Sequence, residues 1–152
     1  MLAFKIVTPE GIAYEDNVEQ VTIPTAAGEI TVLPKHMPLV SPLRHGEMTI
    51  VKRDIEAISA GEGFHRVHFA VARGIVEVRP PIEGTSEVIV LADSADRAED
   101  IDLAEAEAAR KRAEEALERK DELTDVEFSR FQAILDRELV KLKVGSKYKA
   151  RR

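Results

Sequence analysis

The chain changes character near residue 93, and this break limits what it can fold into. All seven prolines lie before it, whereas residues 93–152 contain no proline and a single glycine, Gly145. That second part is a dense mixture of Ala, Glu, Lys and Arg. Since Pro and Gly interrupt helices and these four residues favour them, the sequence predicts two domains, residues 1–93 and residues 94–152.

The first domain is predicted to consist of short β-strands. Apolar residues alternate with polar ones, and Gly or Pro separate the runs, over residues 28–34, 46–51, 67–71 and 76–78. Residues 2–8 and 18–23 are further candidate strands, and residues 86–92 are apolar enough to indicate a strand that is covered on both faces. Strands at this spacing are typical of a sandwich or barrel.

The second domain is predicted to be an antiparallel pair of helices. Asp102 and Thr124 each have a Glu three residues later, which is the spacing of a capping box at a helix start. At helical spacing the first helix carries mostly small residues and the second carries bulky ones: Ala106, Ala109, Ala113 and Leu117, then Phe128, Phe131, Leu135, Leu139 and Leu142. The bulky stripe can pack on the small one across the short link 121–125. Gly145 is predicted to end the second helix.

Composition argues against several classes of protein. Hydrophobic residues make up 44% and charged residues 33%, which supports a folded chain, and the absence of cysteine excludes disulfides and thiol chemistry. A net charge of −6 argues against nucleic acid as a partner. The longest apolar run has five residues, 88–92, whereas a membrane helix needs about 20, so we expect no direct membrane insertion.

Candidate chemistry is sparse. His65 and His68 are three residues apart, but on a strand they would point to opposite faces, which disfavours a local metal site. The chain contains none of the common hydrolase, metalloprotease, nucleotide-loop or dinucleotide motifs. From the residues alone it is a β-domain plus a helical hairpin. That leaves two readings open, a generic two-domain protein-binding adaptor and a small His-dependent metal enzyme.

The order of several segments carries a resemblance. These segments are residues 4–10, 28–39, 74–78, 88–95 and 98–102. Together they resemble the epsilon subunits of F-type ATP synthases over nearly the whole chain. The resemblance implies an N-terminal antiparallel β-sandwich followed by an antiparallel two-helix hairpin, in a non-catalytic subunit of the rotor's central stalk. It also implies that the sandwich contacts the gamma subunit and the c-ring.

The same resemblance implies roles for particular residues. Glu29 lies in the segment associated with c-ring contact, and His36 and Pro38 lie in a loop that usually reads Pro-Gly-His-Ala-Pro-Leu. Lys35 and Met37 replace the Gly and Ala of that loop, and Arg73 replaces a Gly. Residues 53–73 and 80–87 form longer stretches than usual, which we expect to be extended hairpins.

Some bacterial members of this family bind ATP on the hairpin, as a regulatory ligand, through an Ile-Asp-x-x-Arg-Ala motif. Ile101, Asp102 and Ala106 match that motif and Arg112 matches a second arginine, but Glu105 stands where Arg is expected. In addition, Asp96 stands in for a Glu. A carboxylate in place of an arginine repels triphosphate, so ATP is not expected to bind well. No other cofactor and no metal are implied.

The basic end of the chain has an implied role in regulation. Residues 139–152 contain six bases and no acid: Lys141, Lys143, Lys147, Lys149, Arg151 and Arg152. In this family an extended hairpin approaches acidic segments of the catalytic alpha/beta head and blocks ATP hydrolysis, so these bases are candidates for an inhibitory tail. The alternative is a solvated helix end whose charges complement the helix dipole. Without a targeting segment at the N-terminus, we expect a bacterial protein bound, through its partners, to the cytoplasmic face of the inner membrane.

Overall fold

A computed structural model describes residues 1–54, 63–82 and 84–151. Within these residues ten strands precede two long helices. The strands are β1 Leu2–Thr8, β2 Gly11–Val18, β3 Gln20–Thr25, β4 Gly28–Val32, β5 Leu39–Leu43, β6 Gly46–Arg53, β7 Phe64–Val71, β8 Gly74–Ile82, β9 Thr85–Ala92 and β10 Ala95–Arg97. The helices are α1 Leu103–Glu118 and α2 Asp125–Ala150.

The strands form one strongly curved sheet in the order β10-β7-β6-β3-β5-β8-β9-β1-β2, with β4 paired to β3. Every pairing is antiparallel except that of β1 with β9, which is parallel. The curvature brings β2 back to the other end of the path. There, Lys52 on β6 lies 2.7 Å from Asp16 on β2, and the Tyr14 ring packs edge-on against Phe69 at 5.5 Å. The predicted sandwich is confirmed, in a barrel-like form.

Alternating side chains supply the core. The fully buried ones include Phe4, Ile6, Ile23, Met48 and Ile50, which point inward from β1, β3 and β6. Burying apolar area of this kind contributes roughly 25 cal/mol per Å², and all the long strands contribute to the same cluster. The domain therefore has a core of its own.

Two strand predictions need correction. Residues 18–23 are not one strand: β2 ends at Val18 and β3 begins at Gln20. Strand β9 is covered on one face only, since Ser86, Val88 and Val90 are buried while Leu91 is 52% exposed. Of the two long stretches, 53–73 lies in the β6–β7 hairpin and 80–87 in the β8–β9 hairpin; residues 55–62 and 83 lie outside the described residues.

The helix starts follow the predicted caps. The Asp102 side chain accepts hydrogen bonds from the backbone of Ala104 and Glu105, at 3.0 and 3.1 Å. Thr124 forms a complete capping box with Glu127. The predicted helix end is wrong, because α2 runs on to Ala150 and Gly145 is buried inside it.

The hairpin is folded against the sandwich through a small apolar cluster. Ala70 on β7 packs with Ala98, Ile101 and Val144, all buried. A large side chain cannot be accommodated at 145, because α2 packs there against Ile101 and Leu103 at the entry to α1. The last strand, Ala95–Arg97, pairs with β7 just beyond the predicted domain boundary.

The seam between the two helices differs from the predicted one on the α2 side. Ala106 and Ala113 of α1 are buried as expected. On α2, however, Phe128 and Leu139 are 39% and 46% exposed. Phe131, which belongs to the predicted stripe, lines a cleft with the α1 alanines, together with Ile134 and Glu138, which do not belong to it. The prediction therefore holds at Phe131 and fails at Leu139, whose neighbour Glu138 is buried instead.

Candidate functional site

The outer face of the sheet carries a row of apolar side chains. Cross-strand pairing places Pro42 opposite Ile75, Ile75 opposite Leu91, Leu91 opposite Val7, and Val7 opposite Ile12. Ile75, Leu91 and Ile12 are 49%, 52% and 59% exposed. We call these five residues the apolar row. It crosses β5, β8, β9, β1 and β2, and at its Ile12 end it borders a cleft that Arg137 and Lys141 of α2 also line.

The sequence contained a signal for the apolar row that we interpreted differently. Residues 86–92 are apolar at successive positions, which predicted a strand covered on both faces. The chain itself covers only one of those faces. Contiguous exposed apolar residues are a common feature of protein contact surfaces. The apolar pattern of residues 86–92 therefore does not require a second layer within this chain.

The three residues expected to contact partners lie at the two ends of β4. Glu29 is exposed next to the tight turn into β4, opposite Pro24. His36 and Pro38 lie in the loop after β4, where the His36 ring Nδ1 is 2.7 Å from the Met37 carbonyl oxygen. At about 3.3 Å per residue, the strand separates Glu29 from this loop by roughly 13 Å. The structure does not bring the three into one cluster.

Lys35 keeps the loop shape that a glycine would give. Its φ is +68°, in the left-handed region that non-glycine residues rarely adopt. Its backbone N–H donates to the buried Ser86 Oγ at 3.0 Å, which joins the loop to the start of β9. The replacement of Gly by Lys therefore leaves the turn in place, at a cost in backbone strain.

Two of the six tail bases hold the hairpin against the sandwich. Lys147 forms an ion pair with Glu47 on β6, and Lys141 lies 3.4 Å from Asp96 on β10. Lys143, Lys149 and Arg151 are exposed, and Arg152 lies outside the described residues. The tail is thus divided between bases engaged in docking and bases that face solvent.

Asp102 and Arg112, the two candidate ATP contacts, line one cleft of about 610 Å³ beside the α1–α2 seam. Asp102 is engaged as the helix cap, and Arg112 forms an ion pair with Glu105 at 2.9 Å. The charged residues lining this cleft are the acids Asp96, Asp100, Asp102, Glu105 and Glu138 and the bases Arg112, Arg137 and Lys141. With acids in excess, the cleft is poorly suited to a triphosphate.

The histidines do not form a metal centre in the described part of the chain, where no group of three or more metal-ligating side chains comes together. His68 faces outward, and its Nδ1 lies 2.9 Å from Glu47 Oε1 and 3.2 Å from Thr49 Oγ1. His65 lies at the exposed start of β7. No helix among the described residues is long and apolar enough to cross a membrane.

Comparison with known proteins matches both domains of this chain to one family. Residues 1–98 match the family model of the ATP synthase delta/epsilon chain β-sandwich domain, and residues 99–145 match its long α-helix domain. The chain belongs to the ATP synthase delta/epsilon chain family. It is 38% identical to the ATP synthase epsilon chain of Bacillus cytotoxicus over 93% of both chains. It is 34% identical to that of Halalkalibacterium halodurans over 96% of this chain and 98% of the relative.

The fold agrees with a solved member of the same complex. A chain of the Euglena gracilis mitochondrial ATP synthase superposes with a TM-score of 0.66 at 17% identity, over 91% of this chain and 78% of the other. The predicted fold class and the resemblance to epsilon subunits are confirmed. The chain is a non-catalytic rotor subunit of the ATP synthase. This assignment replaces the readings as an unrelated adaptor or a metal enzyme.

Proposed function

We propose that the apolar row is the surface by which this chain docks on the gamma subunit of the central stalk. The observation that carries this proposal is that Ile75, Leu91 and Ile12, on three different strands, remain about half exposed in one line. A rotor subunit must transmit torque through a rigid contact, and a paired sheet is a rigid platform. The loops with Glu29, His36 and Pro38 then contact the c-ring, and the complex lies at the cytoplasmic face of a bacterial inner membrane.

Substitutions in the apolar row test this docking surface. Ile75→Ser together with Leu91→Ser should lower co-purification of the chain with gamma by at least tenfold, because about half of each side chain is buried only in the complex. Val126→Ser is a matched control, since Val126 is 78% exposed on α2, away from the row. If the double variant is folded by circular dichroism and gamma is retained at the wild-type level, the apolar row is not the docking surface.

We also propose that the hairpin acts as a brake on ATP hydrolysis, and that its position against the sandwich is the released state. Two features support this. The hairpin is held by a small apolar cluster and a few ion pairs, so that a second arrangement lies within a few kcal/mol. In addition, the solvent-facing tail bases Lys143, Lys149 and Arg151 remain available to the acidic surface of the catalytic head.

ATP is not a regulatory ligand of this hairpin, in our proposal. The supporting observation is an ion pair between two positions of the matched pattern: Arg112, which matches the family's second arginine, is paired with Glu105, which stands where the motif's own arginine is expected. A triphosphate would have to displace Glu105 and remain beside it.

A further inference from the structure

A cluster of ionisable groups joins the sandwich to the end of α2. Glu47 on β6 and His68 on β7 lie on the outer face of the sheet, on the side that α2 covers. His68 Nδ1 is 2.9 Å from Glu47 Oε1, and Lys147 of α2 forms an ion pair with the other oxygen, Glu47 Oε2. The Glu47 carboxylate therefore contacts a histidine of the sandwich and a lysine of the hairpin at the same time.

The surroundings of His68 are rich in positive charge from the hairpin. The side chains that face it from other elements are Glu47 on β6, Lys147, Tyr148 and Arg151 on α2, and the paired Arg97 and Glu99 after β9. On its own strand, His65 and Arg66 flank it. Arg97 and Glu99 form an ion pair with each other at 2.7 Å, so around His68 the Glu47 carboxylate stands against two bases of α2, Lys147 and Arg151.

We propose that Glu47, His68 and Lys147 form a proton-sensitive latch that releases α2 from the sandwich as the pH falls. When the hairpin is docked, a protonated His68 would be a third positive group around the single Glu47 carboxylate, and it would be removed from water by α2. When the hairpin leaves, Lys147 and Arg151 leave with it, and His68 gains both solvent and the undivided Glu47 carboxylate. Protonation is therefore easier in the undocked state.

The pKa directions agree with this geometry. Burial holds the pKa of His68 below its usual value, with Arg151 and Lys147 adding to the effect, and this outweighs the opposing attraction of Glu47. Burial works to raise the pKa of Glu47, but the hydrogen bond and charge of Lys147, together with His68, bring it below its usual value. Because His68 binds its proton less readily when docked, docking weakens as the pH falls through the range in which a free histidine titrates. Protonation of Glu47 would add to this effect only at a lower, more acidic pH.

The test uses the isolated full chain, which contains no cysteine and so can be labelled at two introduced sites. Fluorescent dyes at Ala27→Cys on the β3–β4 turn and Ser146→Cys on α2, both exposed, report hairpin position by energy transfer. Between pH 7.5 and pH 5.5 the ratio of undocked to docked chain should rise by at least about twofold. His68→Gln should remove this rise, and His65→Gln, the matched control, should keep it.

A second measurement guards against misfolding of the His68 variant. Histidine ring signals followed by NMR in the wild-type chain should show His68 titrating at lower pH than the same residue in Lys147→Ala. Three results would each overturn the latch. The first is a wild-type chain whose docking does not change with pH, and the second is a His68→Gln variant with the same pH response as wild type. The third is a His68 signal that titrates at the same pH in wild type and in Lys147→Ala. The proposal concerns docking in the isolated chain, so it stands or falls separately from the brake on hydrolysis.

Discussion

Gly145 on α2 lies directly against Leu103 at the start of α1: a β-carbon at position 145 would come within 2.8 Å of Leu103 Cδ2 and 3.1 Å of Ile101 Cγ2. The contact belongs to the same buried region as Val144 and Ala98, which holds the hairpin on the sandwich. The docked position of the hairpin thus depends on a small residue at position 145, in the last quarter of α2.

Substitutions at Gly145 should separate docking from folding. In Gly145→Leu the side chain cannot be accommodated, so we expect undocking of α2 while the sandwich stays folded. Gly145→Ala should remain close to wild type, because an alanine gains about 1 kcal/mol in helix propensity and the closest atom it meets is the flexible end of Leu103. Hydrogen exchange of the α2 and β7 amides measures both variants. A Leu variant with wild-type protection in both elements would contradict this reading.

The strained backbone at Lys35 gives a second prediction. A non-glycine residue in the left-handed region destabilises the folded chain by roughly 1–2 kcal/mol. Glycine removes this strain, but it loses more backbone entropy on folding, which offsets about 0.5–1 kcal/mol of the gain in stability. Lys35→Gly should therefore raise the free energy of unfolding by up to about 1.5 kcal/mol. The change is read from the urea midpoint, with Lys35→Ala as the control that keeps the strain. Equal midpoints for the Gly and Ala variants would argue against strain at this position.

The main features of the fold could be predicted because they depend on local pattern. Alternation marked most of the core strands, and the caps at Asp102 and Thr124 marked both helix starts. Strand β2 was missed because it lies at the end of the sheet path, most of its residues are exposed, and one of its alternating inward positions is the polar Asp16. Strand β5 was missed because Pro42 interrupts so short a run.

Features that depend on the contact between the two domains could not be predicted from the sequence. Gly145 has the local appearance of a helix stop, and only the crossing of α2 over Ile101 and Leu103 shows that it is a packing position. In the sequence the tail bases form one charged group, but in the structure Lys141 and Lys147 form ion pairs with acids on β10 and β6. Which bases face an acid is decided by tertiary structure and not by spacing along the chain.

The Tyr14 phenol should lose its proton at an unusually high pH. Burial, together with the neighbouring Asp16 carboxylate, raises the pKa of Tyr14 from 10.0 to about 12. Because the folded value lies above the unfolded one, the stabilisation is complete below pH 10 and is lost as the pH rises toward 12. Ultraviolet absorbance should show a late tyrosinate component that Tyr14→Phe removes. That variant keeps the ring contacts with Phe4 and Phe69 and should change stability by no more than about 1 kcal/mol. A titration completed near pH 10 would disagree with the structure.

ATP binding provides a test of the acidic cleft. The wild-type chain should show no rise in melting temperature with millimolar Mg-ATP. Glu105→Arg removes a repulsive carboxylate, frees Arg112 and adds a donor; since a hydrogen bond to a charged group contributes about 1.5–3 kcal/mol, affinity should rise at least tenfold. Glu115→Arg makes the same charge change on α1 outside the residues that line this cleft and serves as the control. Tight binding by the wild type, or equal gains in both variants, would contradict the proposal.

The division of the basic tail leads to opposite expectations for two sets of substitutions. Lys141→Ala with Lys147→Ala removes the ion pairs to Asp96 and Glu47 that hold the hairpin down. In the membrane-bound complex this should favour the extended state and lower ATP hydrolysis. Alanine at Lys143 and Lys149, which are exposed and lie outside the latch, leaves docking intact and removes attraction to the acidic catalytic head, so hydrolysis should rise.

The size and the salt dependence of the change in ATP hydrolysis show whether specific ion pairs or only the total charge of the tail is responsible. Exposed ion pairs contribute about 0.2–1 kcal/mol each, so two or more pairs should shift hydrolysis by several-fold at low ionic strength and by little at high salt. Subunit content should be unchanged in both sets, because the proposed gamma and c-ring contacts belong to the sandwich. Changes in the same direction for the two sets would show that the tail acts only through its total charge. Unchanged hydrolysis at low ionic strength would remove the tail from the brake altogether.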